Sequence, residues 1–68
     1  MSTFLYKNQV LDLVVDSADI IRTTGRSIEK GKIDYASAIN NLASALHKLE
    51  KSVDYLRKAW KKYFRTLY

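Results

Sequence analysis

In the second half of the chain, large apolar residues recur with alternating spacings of three and four: Ile39, Leu42, Leu46, Leu49, Val53, Leu56, Trp60, Tyr63 and Leu67. Strands alternate every second residue, so this spacing predicts a long α-helix with one apolar stripe over residues 34–67. Beside the stripe, Ala38, Ala45, Ser52, Ala59 and Thr66 recur at heptad intervals. Small side chains let another helix approach closely, so this flank marks the side on which a neighbouring helix lies.

The first half is less regular. Val10, Val14, Ala18, Ile21 and Ile28 make one stripe, and Leu11, Leu13, Val15 and Ile20 widen it well beyond a narrow seam. Such a wide apolar arc on a helix over residues 3–30 predicts cover on more than one side. Thr23-Thr24-Gly25 is the weak point, because β-branched residues and glycine disfavour helix. The helix either continues through it or breaks there and restarts as a short third helix over residues 26–30. A turn at 31–33 separates the halves. Gly31 suits the left-handed position just past a helix, and Asp34 suits the cap that starts the next.

These elements predict an all-α domain spanning residues 1–68, an antiparallel two-helix hairpin that completes a four-helix bundle by dimerisation. In this reading Leu42, Leu46, Leu49, Val53 and Leu56 hold the hairpin together, with Val14 and Ile21 opposite them. Folding at Gly31 places Phe4 and Tyr6 near Trp60 and Tyr63. The longer second helix then projects past the first, carrying Phe64, Leu67 and Tyr68. Together with Leu11 and Val15 on the first helix, these three form the expected partner or oligomer interface.

Composition sharpens the case for assembly. With 68 residues, 47% hydrophobic and 28% charged, the chain has a globular balance but sits below the size at which one core comfortably outweighs ordering entropy. It has no cysteine, so disulfides are excluded and self-association is the remaining staple. A homo-oligomer is expected, a dimer before anything larger. One histidine, no cysteine and no glycine-rich loop leave few ways to assemble a catalytic constellation or a cofactor site, so a non-catalytic protein without cofactors is expected. No run reaches the length of a membrane span, and the first residues lack a basic region followed by a long apolar one. An intracellular, cytoplasmic protein is the expectation.

Charge is unevenly placed. Lys7, Arg22, Arg26, Lys30 and Lys32 balance five acidic residues over 1–34, so the net charge of +5 resides in the last third. There Lys48, Lys51, Lys58, Lys61, Lys62 and Arg65 line the helix face opposite the apolar stripe, with Tyr55 among them. Such a ridge keeps an apolar helix soluble, and it also suits the phosphates of a nucleic acid or an acidic protein partner. Asp12, Asp16 and Asp19 share one face of the first helix. Without a second acidic cluster they point to a solvated face rather than a metal site. His47 stands alone, as an exposed helix histidine. The leading functional expectation is a self-associating assembly or adaptor protein that binds a protein partner. Its rival is a sequence-independent nucleic-acid-binding protein that uses the basic ridge.

Overall fold

The computed structural model describes the backbone of residues 4–67 and the side chains of residues 4–62. It contains two helices, α1 (Lys7–Glu29) and α2 (Tyr35–Leu67), packed against each other along the length of α1 as an antiparallel hairpin. The expected interface residues Phe64, Leu67 and Tyr68, and the ridge residue Arg65, lie outside the described side chains. The molecule measures 53 × 22 × 13 Å, which makes it one helix thick.

The turn forms as its residues predict. Past the C-cap Lys30, Gly31 adopts φ +65°. The Gly31 N–H donates to the Ile28 carbonyl (3.0 Å) and the Lys32 N–H to the Ser27 carbonyl (2.8 Å). This pair of bonds is a Schellman motif, and it satisfies carbonyls that the helix end would otherwise leave open. At the start of α2 the Asp34 carboxylate accepts the Ser37 N–H (2.7 Å), an N-cap bond that also holds this carboxyl below its ordinary pKa.

α1 begins at Lys7 rather than near residue 3, because Tyr6 sits in the left-handed region at φ 60°. It then runs unbroken through Thr23-Thr24-Gly25, with no restart as a third helix. Packing explains the continuity. Thr24 is 2% exposed, held in the contact with α2, and tertiary burial overrides its weak helix propensity.

The hairpin seam differs from the expected one. The residues buried between the helices are Val10, Ser17 and Thr24 on α1 and Ala45 and Ser52 on α2. Leu13, Ile20, Ala38, Leu49, Tyr55 and Ala59 are half-buried beside them. The small-residue flank of α2 is therefore the contact line. The large stripe is not: Leu46 is 57% exposed and Trp60 61%, and Ile39, Leu42, Val53 and Leu56 are exposed too. Val14 and Ile21 are likewise turned outward. The physical reason is distance, since alanine and serine let the backbones approach closely whereas a leucine seam would force them apart.

Two of the seam hydroxyls are satisfied within their own helices. Ser17 donates to the Val14 carbonyl (2.8 Å) and Ser52 to the Leu49 carbonyl (2.6 Å), so each is buried without an unpaired donor. Thr24 Oγ1 is buried with no partner among the described residues. Replacing it with the isosteric valine, Thr24→Val, is expected to stabilise the fold by about 1 kcal/mol, because the desolvated hydroxyl disappears and the shape stays. Ala45→Leu, at a position 1% exposed, is expected to cost about 1–3 kcal/mol by prising the helices apart. Denaturant midpoints at one fixed protein concentration check both. Equal tolerance of the two changes would mean that the small-residue line is not the seam.

Candidate functional site: two faces of the hairpin

The seam fixes what each face of the hairpin carries. On α1, Leu11, Val14, Ala18, Ile21 and Ile28 are exposed, and each follows by one residue a position that is buried or half-buried: Val10, Leu13, Ser17, Ile20 and Ser27. The same offset holds on α2, with Ile39, Leu46, Val53 and Trp60 following Ala38, Ala45, Ser52 and Ala59. One residue is about 100° of helix rotation. Because the helices run in opposite directions, that rotation is clockwise on one and counter-clockwise on the other when viewed from one end. Both stripes consequently turn to the same side of the hairpin and form one continuous apolar face.

Leu11 and Val15, the α1 positions expected at an interface, belong to this face and its edge, and Val15 is 53% exposed. Val14, Ile21 and the α2 stripe belong to it as well, although their periodicity suggested the hairpin interior. No helix among the described residues is long and apolar enough to cross a membrane.

The opposite face is polar. Lys51, Lys58, Lys61 and Lys62 are exposed on it, and Lys48 is half-buried near the Asp16 carboxylate (3.9 Å). Asp19 pairs with Arg22 on its own helix, and Asp54 lies 3.9 Å from Arg57. Among the described residues no carboxylate lies within ion-pair distance of Lys51, Lys58 or Lys61. A shallow depression of about 280 Å³ lies between Lys51, Asp54, Tyr55 and Lys58. All four residues come from one helix, so among the described residues nothing converges on it from a second element in the manner of a catalytic pocket. His47 is exposed.

Near the open end, Tyr6 ties the two helices together on this polar side. Its ring meets Tyr55 at 5.3 Å between centroids, and its hydroxyl accepts a hydrogen bond from Lys62 Nζ (2.9 Å). Lys58 and Lys62 lie over the Tyr55 and Tyr6 rings at 5.6 and 5.3 Å. These contacts explain why Tyr6 holds a left-handed backbone conformation that bulky residues seldom adopt. They also correct the expected level of the open end: Tyr6 lies beside Tyr55, so α1 runs out near that level rather than at Tyr63. The Tyr6–Tyr55 pair escaped the sequence reading, and its one signal was that both residues continue the three-four spacing of the seam.

Comparison with known protein families, with characterised proteins and with solved structures finds no match for this chain.

The Lys62 hydrogen bond, with the charges of Lys62 and then Lys58, holds the Tyr6 phenol below its ordinary pKa by favouring the phenolate. In a spectroscopic pH titration one tyrosine is therefore expected to ionise before the others. Lys62→Gln should move that titration upward towards the ordinary tyrosine value of about 10. Tyrosines that titrate together in both proteins would show that the contact does not persist in solution.

Proposed function

We propose that this chain is a non-catalytic assembly subunit that self-associates through its apolar face, two hairpins closing into a four-helix bundle. The observation that carries the reading is the alignment of two exposed apolar stripes on one side of a hairpin whose own seam is made of small residues. Among the described residues, only Val10 and Ala45 are buried hydrophobic side chains. That is too little apolar burial to offset the ordering of the chain, and a second layer supplies what is missing.

Area supports a second copy as the cover. The accessible surface is 5774 Å² for a chain of 7.9 kDa. A compact monomer of that mass would expose about 4,400 Å². Covering the excess on each of two copies would bury roughly 2,700 Å², which falls in the range of obligate homodimers. The expected result is a solution mass of two chains and a melting temperature that rises with protein concentration. Leu46→Asp should abolish the dimer by placing a charge in the covered face, whereas Lys51→Asp should leave it intact. A single-chain mass at micromolar concentration with a cooperative, concentration-independent melt would overturn the reading.

A second reading concerns the polar side. Lys51, Lys58 and Lys61 point away from the apolar face and have no carboxylate partner among the described residues, so a dimer would present this ridge on both outer surfaces. We propose it as a sequence-independent contact for the phosphates of nucleic acid. Affinity for duplex or single-stranded nucleic acid should then fall steeply with salt. The double change Lys51→Glu and Lys58→Glu should reduce the logarithmic salt slope by about two. Binding that ignores both salt and the double change would assign the ridge to solubility alone.

A further inference from the structure

Resting on the nucleic-acid reading of the polar side, we infer that the nucleic acid bound there is single-stranded, with one base stacked on Tyr55. The site is the shallow depression of about 280 Å³ between Lys51, Asp54, Tyr55 and Lys58. A hollow this open, built on the side of one helix, suits one unit of an extended chain lying across the surface.

Tyr55 is the platform. Its ring meets Tyr6 at 5.3 Å between centroids, and Tyr6 is not among the residues that line the depression. The contact with Tyr6 steadies the ring, while the depression leaves part of it accessible. A half-buried tyrosine held in this way has little side-chain freedom left to lose, and any base has a face that stacks on it. Lys58 has its ammonium 5.6 Å from the ring centroid. A phosphate draws that flexible side chain outward and clears the ring, exchanging a cation contact for a base.

The lysines stand where the phosphates of such a nucleotide fall. Lys51 and Lys58 are two turns apart, about 10 Å along α2, and Tyr55 lies between them. A nucleotide within a strand has a phosphate on each side of its sugar, so a base on Tyr55 directs one towards each lysine. Neither lysine has a carboxylate within ion-pair distance among the described residues. Asp54, at the rim, lies 3.9 Å from Arg57, which partly offsets its charge.

A duplex fits this side poorly. Asp12, Asp16 and Asp19 each precede by one residue a buried or half-buried position of α1, as Lys51 and Lys58 precede Ser52 and Ala59 on α2. Both rows therefore turn to the polar side. Asp16 lies 3.9 Å from Lys48, and one turn further along Asp12 shares the level of Lys51. Packed helices stand about 8–10 Å apart, a span comparable to a groove of the duplex. Duplex phosphates placed on the lysine row bring those of the second strand over the carboxylates. The duplex also hides its base faces from Tyr55, whereas a single strand follows α2 alone and leaves them open.

Fluorescence anisotropy with a short labelled oligothymidylate, and with a duplex of the same length at the same salt, separates the two ligands. The single strand is expected to bind about tenfold or more tightly than the duplex. Tyr55→Leu should weaken the single strand by about tenfold and leave the duplex unchanged, while Tyr55→Phe, which keeps the ring, should match the wild type. A variant that merely unfolds would lose both ligands, so the Tyr55 ring protons of the wild-type protein are followed by NMR as well. Stacking moves them upfield when the oligothymidylate is added. Duplex affinity equal to or above that of the single strand overturns the inference, as do ring protons that stay in place while the strand binds. Either outcome leaves the nucleic-acid reading standing. Failure of both ligands to bind overturns that reading itself.

Discussion

The close approach of α1 and α2 along a line of small residues governs the rest of this structure. Ala45 and Ser52 are buried in the contact with α1, as Val10, Ser17 and Thr24 are in the contact with α2, and the two helices pack closely along this line. A seam this narrow can accept hydroxyl groups because serine returns its hydrogen bond to its own helix, as Ser17 and Ser52 do. It cannot accept leucine. Once the small residues occupy the contact, helical geometry turns the large apolar residues about 100° away, and antiparallel topology sends both sets to the same side. The apolar face thus follows from the seam.

The same geometry separates the molecule's two chemistries. Residues following the seam by one position are apolar, while the far side carries the lysines of α2, the aspartates of α1 and the Tyr6–Tyr55 contact. Near the turn, the Gly31 and Asp34 motifs fix where the chain reverses and hence which residues share a level. At the open end, α2 outlasts α1 by about 18 Å, so Lys61 and Lys62 stand beyond the start of the first helix.

Much of this was legible in the residues, and the part that was not has a definite physical cause. The three-four spacing of α2, the glycine past α1 and the aspartate cap are local signals, and each forms where its chemistry predicts. The small flank of Ala38, Ala45, Ser52 and Ala59 correctly marked the side of approach. The error was to give the hairpin both that flank and the leucine stripe. A heptad of large residues states that something covers it, and it carries no information on whether the cover belongs to the same chain. At Thr23-Thr24-Gly25 propensity left continuation and a break both open, and packing decides between them: a small residue at position 24 is what the close seam requires, and Gly25 sits on the outward face where its missing side chain costs no packing in the hairpin. The exposure of Leu11 and Val15 followed from the width of the first apolar arc, whereas Val14 and Ile21 could be placed only once the seam was known.

A hairpin built this way is poorly able to stand alone, and that bears on how folding and assembly relate. Its seam buries hydroxyls and small side chains, which supply shape and little hydrophobic free energy, while most of its large apolar residues face outward. The local signals at the turn favour the reversal but are each worth little beside the ordering of two long helices. Under the proposed assembly, the free energy that holds α1 against α2 comes chiefly from covering the face they share. The small-residue seam then acts as an alignment device, holding two apolar stripes coplanar so that one docking event buries both. A hairpin that packed its leucine stripe inward would be a sturdier isolated pair, but it would leave no common apolar face. On this argument the chain gives up monomer stability for a surface whose value lies in being covered.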